Sequence, residues 1–173
     1  MGEHMRKALA LLIRLTSLLN AVATIWTLFL VFFVTADVCG RVFFGRPLTG
    51  APEVVKMSLV ALVFLHMPHA LWKGRHIRSE LLISRLTPNL RTVMEVIMWL
   101  LGVFMFTAIV ISSWHHMVDA WQTGIYEGEG SLRVPLAPVR TIVILGSMLT
   151  ALLYLVGAVQ RMAKLRRLSK GDP

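Results

Sequence analysis

Histidine is the side chain in this sequence with the widest chemical reach, because imidazole ligates haem and metals and titrates near neutrality. Four histidines stand in strongly apolar surroundings: His66 and His69 in one stretch, His115 and His116 in another. A haem with two axial histidines needs them on opposite sides of one plane, and His66 and His69 belong to the same helix. In alternating membrane spans, His69 lies about one turn from one end and His115 about one turn from the other. Their depths then differ by ~15–20 Å at ~1.5 Å per residue, too far for one haem to bridge. A His-x-x-His pair holds a metal only with further ligands, and the apolar stretches offer no acidic or cysteine partner. The plainer reading of these histidines is polar packing between helices. No glycine-rich phosphate loop and no Ser/His/Asp set can be assembled. The sequence therefore points to no catalytic, cofactor-binding or metal-binding residue, and to a chain that is not an enzyme.

The elements that carry these residues follow from composition. Of 173 residues, 56% are hydrophobic and only 16% charged, and mean hydropathy is +0.69. Soluble domains lie near ~45–50% apolar. The charges cluster between long apolar runs, as a polytopic membrane protein requires. Crossing ~30 Å of hydrocarbon takes ~20 residues of helix, and four stretches serve: 15–36, 54–72, 96–118 and 141–160. The expected fold is all-α, a single four-span membrane domain. Leu15–Ala36 is too long for the ~7–15-residue core of a cleaved signal peptide and reads as a retained span. Pro68 is expected to kink the second span and free backbone carbonyls, with His66 or His69 available to satisfy them. Asn20, Thr24, Thr35, Ser112 and Ser113 are candidates for bonds between helices. Cys39 reads as a packing residue, and a single cysteine allows no disulfide within the chain.

Net charge is +9, but the basic residues flank apolar runs and do not form one stripe, which argues against nucleic acid. Thirteen of the eighteen Lys and Arg residues fall in the N-terminal flank, the segment between spans two and three, and the C-terminal tail. In a four-span chain these three share one side. The other side has Arg41, Arg46, Lys56, Arg133 and Arg140, and the acids Asp37, Glu53, Asp119, Glu127 and Glu129. By the positive-inside rule both termini are expected in the cytoplasm. In the inner segment, Ile77, Leu81, Leu82 and Leu86 recur at near-helical spacing among Arg78, Glu80 and Arg85. That pattern predicts a short amphipathic helix lying in the interface between spans two and three.

Around the second span the residues form a recognisable series. Asp37, Arg41 and Phe44 are followed by a turn with Pro47 and Gly50, then by Glu53. After the span come Gly74, His76, Ile77 and Glu80. This series resembles the small membrane subunit, the DctQ type, of tripartite ATP-independent periplasmic (TRAP) transporters. The motif likeness covers about a quarter of the chain, and length, span number and orientation agree with it. Two departures stand out: His66-Met67-Pro68-His69 replaces the small residues common in the family, and Ser79-Glu80 replaces Val-Asp, keeping the acid in kind.

The resemblance implies a scaffold subunit of the bacterial inner membrane without cofactors. It implies two partners: a large multi-span subunit (DctM type) carrying the sodium and substrate sites, and a periplasmic substrate-binding protein (DctP type). It implies sodium-driven uptake of organic acids such as dicarboxylates, keto acids or sialic acid. Asp37, Arg41 and Glu53 are then expected to form ion pairs or caps that shape the outer turn. Asp119, Glu127 and Glu129 are a candidate contact for the binding protein. Two other classes remain open on sequence: a haem-carrying membrane anchor of a redox enzyme, which would show a Soret band, and an autonomous channel or carrier, which charge-free spans disfavour.

Overall fold

A computed structural model describes residues 3–46, 48, 50–73, 88–127 and 134–169. The expected interfacial helix over Ile77–Leu86 lies outside the described residues. Four long helices make up the fold: α1 (Glu3–Phe44), α2 (Ala51–Trp72), α3 (Pro88–Thr123) and α4 (Ala137–Ser169). All four are long and apolar enough to cross a membrane. In hydrocarbon a helix satisfies its own backbone, which is why apolar sequence of this length becomes helix. The boundaries are written in glycine and proline. Gly45 and Gly124 adopt left-handed conformations just past α1 and α3, the usual helix stop. Prolines stand at the starts of α2, α3 and α4, where their missing N–H costs nothing.

α1 has 42 residues and so reaches ~63 Å at ~1.5 Å per residue, about twice the hydrocarbon thickness of ~30 Å. α2, with 22 residues, reaches only ~33 Å. Between α3 and α4, Tyr126–Glu127 (β1) pairs antiparallel with Val134–Pro135 (β2), a small hairpin the sequence reading did not anticipate.

The helices form an open row. α1 packs chiefly on α2, α2 on α4, and α4 on α3. Asn20 meets His66 and Glu95 meets Arg161, so α1 runs antiparallel to α2 and α3 antiparallel to α4. Phe64 lies against Gly146 and Trp72 shares a cleft with Gln160, so α2 and α4 run the same way, and the start of α1 and the last turns of α4 lie at one end of the row. The two flanking helices bury little: 11% of the apolar window of α1 and 6% of that of α3, against 33% for α2 and 44% for α4. Ala23, Leu30 and Leu62 are the buried centre of the α1–α2 contact.

The packing between helices rests on close approaches. Gly157 of α4 lies under the ring of Trp99 of α3, and Gly146 of α4 lies against the backbone of Phe64 in α2. Tyr154 of α4 packs between Trp99 and Phe106 of α3, with ring centroids 5.2 and 5.8 Å away. Trp99 is thus a packing residue of the α3–α4 contact. Pro68 is fully buried inside α2. It has no N–H to return to the carbonyl of Phe64 four residues earlier. His66 does not fill that gap, because its Nδ1 lies 2.9 Å from Oδ1 of Asn20.

Asn20 is therefore the one expected polar residue seen bonding between helices. Thr24 and Thr35, both exposed within the chain, instead donate to carbonyls four residues back in α1, those of Asn20 and Val31, the acceptor a helical threonine hydroxyl has within reach. Cys39 is exposed on α1, which corrects its reading as a packing residue within the chain. Replacing Asn20 by leucine is expected to cost ~0.6–1.7 kcal/mol, read as a lower melting temperature in detergent. His66→Leu should cost a similar amount, and the double variant less than the sum. Additive losses would show that the bond contributes nothing.

Candidate functional site

The residues singled out around the first turn converge at the end of the row remote from the chain termini. Asp37 is one helical turn before Arg41 on α1, and the two side chains bond at 2.9 Å. Its second oxygen accepts the backbone N–H of Leu48 at 2.7 Å. One carboxylate thereby ties the last turns of α1 to the segment leading into α2. Asp37 is buried, whereas the Arg41 side chain is 60% exposed, so the loop bond is the better protected of the two.

The turn is closed further by backbone bonds. The Arg46 N–H donates to the Gly40 carbonyl at 3.2 Å, and the Ala51 N–H donates to Leu48. Gly50 is the N-cap of α2 with φ 80°, a conformation that suits glycine because it has no Cβ. Phe44 is highly exposed at the end of α1. Glu53 is in the first turn of α2, where a carboxylate is favoured by the helix dipole. It does not join Asp37 and Arg41: its Oε2 is buried and makes no hydrogen bond. Pro47, Gly74, His76 and Glu80 lie outside the described residues.

Asp119 and Glu127 of the other loop lie at the same end. Asp119 is exposed near the end of α3, and Glu127 is in β1 opposite Val134. Glu129 lies outside the described residues. This loop is braced by the Trp121 indole donating to Thr141 at 3.1 Å and by Arg140 donating to the His116 carbonyl. The Leu136 N–H closes it on the Ile125 carbonyl at 3.1 Å. His115 and His116 are exposed on α3. Among the described residues no three metal-ligating side chains come together.

The opposite end holds a contact missed in the sequence. Arg161 of α4 pairs with Glu95 of α3 at 3.2 Å, and its guanidinium sits 4.0 Å over the Trp99 ring. Both charged side chains are about four-fifths buried. The available signal was an acid and a base at the same side of neighbouring spans, which only helix order turns into a pair.

A row of long apolar helices, braced by polar turns at one end, is the architecture of a membrane component. The family model of the tripartite ATP-independent periplasmic transporters, DctQ component, matches residues 30–164. The chain belongs to that family. It is thus a small membrane subunit of a TRAP transporter, a multi-pass component of a transport system. The matched range takes in the Asp37–Glu53 turn, the Glu95–Arg161 pair and all of α2 and α3. Comparison with curated proteins and with solved structures finds no match.

Proposed function

We propose that this DctQ-family chain is the static membrane scaffold of a sodium-coupled, binding-protein-dependent transporter of organic acids. The substrates are of the dicarboxylate, keto acid or sialic acid type. It packs along a large elevator-type subunit of the DctM type, in the bacterial inner membrane with both termini in the cytoplasm. The observation that carries the reading is the open row. α1 and α3 leave most of their apolar surface without partners in the chain, which suits a support that shares its faces between lipid and a larger protein. Spans with no charge at mid-membrane agree with it, because a carrier needs polar ligands for its solute within the bilayer. The lean of Lys and Arg toward the side of the termini supports the orientation. The turn held by Asp37, with Gly50 and Glu53, shapes the periplasmic face, and Asp119, Glu127 and Glu129 offer that face an acidic contact for the DctP-type binding protein.

The deciding experiment is co-expression of the tagged chain with its operon neighbours, gentle extraction and identification of what is recovered. Stoichiometric recovery of a large polytopic subunit is expected, with sodium-dependent uptake only when both are present. Charge reversal of Glu127 and Glu129 is expected to weaken docking of the binding protein while leaving the membrane pair intact. A chain that purifies alone and carries solute in liposomes would overturn the scaffold reading. Unchanged docking after charge reversal would remove the acidic contact.

A further inference from the structure

The row geometry leaves a cleft where α2 and α3 each pack on α4 and not chiefly on one another. It has a volume of about 170 Å³ and lies at the end of the row that holds both termini. Its wall is mixed in character. Arg161 and Gln160 supply polar groups, Trp72 and Trp99 supply indoles, and Leu71 and Val156 supply apolar surface. Lys73, exposed, follows Trp72 directly at the end of α2. Arg161 and Lys73 outweigh Glu95, so the charge about the cleft is positive.

The geometry points to this cleft as a binding site for the headgroup of an anionic phospholipid. Each feature matches a part of that molecule. A guanidinium held in place by Glu95 and Trp99 presents a fixed cation to a phosphate. Tryptophans at a span end sit at headgroup depth, with the ring body among upper acyl carbons and the N–H toward water. The leucine and valine surface continues into the gap between α2 and α3, where an acyl chain replaces the helix contact that is missing. Basic clefts between spans on the positive side of a membrane protein suit anionic headgroups. A purely apolar occupant, such as a partner helix, would take Gln160 and the exposed Lys73 out of water with no polar group in its place.

The test is native mass spectrometry of the full chain, as it copurifies from the membrane, exchanged into detergent with equal phosphatidylglycerol and phosphatidylcholine. Preferential retention of phosphatidylglycerol is expected. Lys73→Gln should weaken retention about five-fold, since a cation near a lipid surface contributes ~1 kcal/mol. Val156→Phe, which fills the cleft without touching a charge, should abolish the preference. Lys73 is on the surface, so its variant keeps the test decisive if Val156→Phe does not fold. Equal retention of the two lipids, or variants that retain phosphatidylglycerol as the unaltered chain does, overturns the proposal. Release of the lipid by inorganic phosphate would assign the cleft to a free anion and overturn it too. Recovery of the large subunit plays no part in this readout, so its failure is distinguishable from failure of the scaffold reading.

Discussion

Gly146→Leu is expected to force α2 and α4 apart and to cost ~1–3 kcal/mol or more, the range for overpacking a filled interior. A Cβ at position 146 would lie 2.3 Å from the Phe64 carbonyl oxygen and 2.8 Å from its carbon. Those atoms are backbone within a helix and cannot rotate aside. The approach is close for a reason that begins in α2. Pro68 gives the Phe64 carbonyl no intrahelical donor, and an unsatisfied carbonyl in hydrocarbon is expensive. A Cα–H of Gly146 points at this oxygen, a weak contact worth ~0.5–1 kcal/mol. Thr150 takes up the Gly146 carbonyl at 2.7 Å. The measurement is thermal unfolding of the solubilised chain. Gly146→Ala should lower the midpoint and Gly146→Leu lower it further. Equal midpoints for all three proteins would show that α2 and α4 are not in backbone contact.

Asp37→Ala is the second large effect. It removes two bonds at once, the one to Arg41 at 2.9 Å and the one to the Leu48 N–H at 2.7 Å. Hydrogen bonds to an ionised group are worth ~1.5–3 kcal/mol, and Asp37 is buried, so water does not replace them freely. Arg41→Ala should cost less than ~1 kcal/mol, because exposed ion pairs contribute little. Asp37→Asn retains an acceptor for the Leu48 N–H and should fall between the two. Under the proposed scaffold role, the same order should appear in the amount of large subunit recovered with the tagged chain. If Arg41→Ala costs as much as Asp37→Ala, the ion pair governs the turn and the loop bond does not.

Much of this molecule is legible along the chain. Long apolar runs bounded by Gly and Pro can satisfy their backbones in hydrocarbon only as helices, so four spans follow from composition and length. The Asp37–Arg41 pair is local, one turn of one helix, and its spacing states it. The series from Asp37 to Glu80 carries the family likeness that the match over residues 30–164 bears out.

Other features needed three dimensions. Glu53 stands in the same series, yet its carboxylate does not join Asp37, because its placement depends on how α2 leaves the turn and not on spacing. The partners Asn20 and His66, Phe64 and Gly146, and Glu95 and Arg161 are far apart in sequence, and their pairing depends on helix order and rotation. In a soluble bundle an amphipathic stripe marks the face that turns inward. In a membrane, lipid tails are as apolar as leucine, so a valine facing lipid and a valine facing a neighbour look alike in the sequence. Spans and local pairs are thus decided by the medium and the chain. The order α1–α2–α4–α3 and the faces that meet are decided by close packing, which small residues such as Gly146 and Gly157 permit only in the assembled structure.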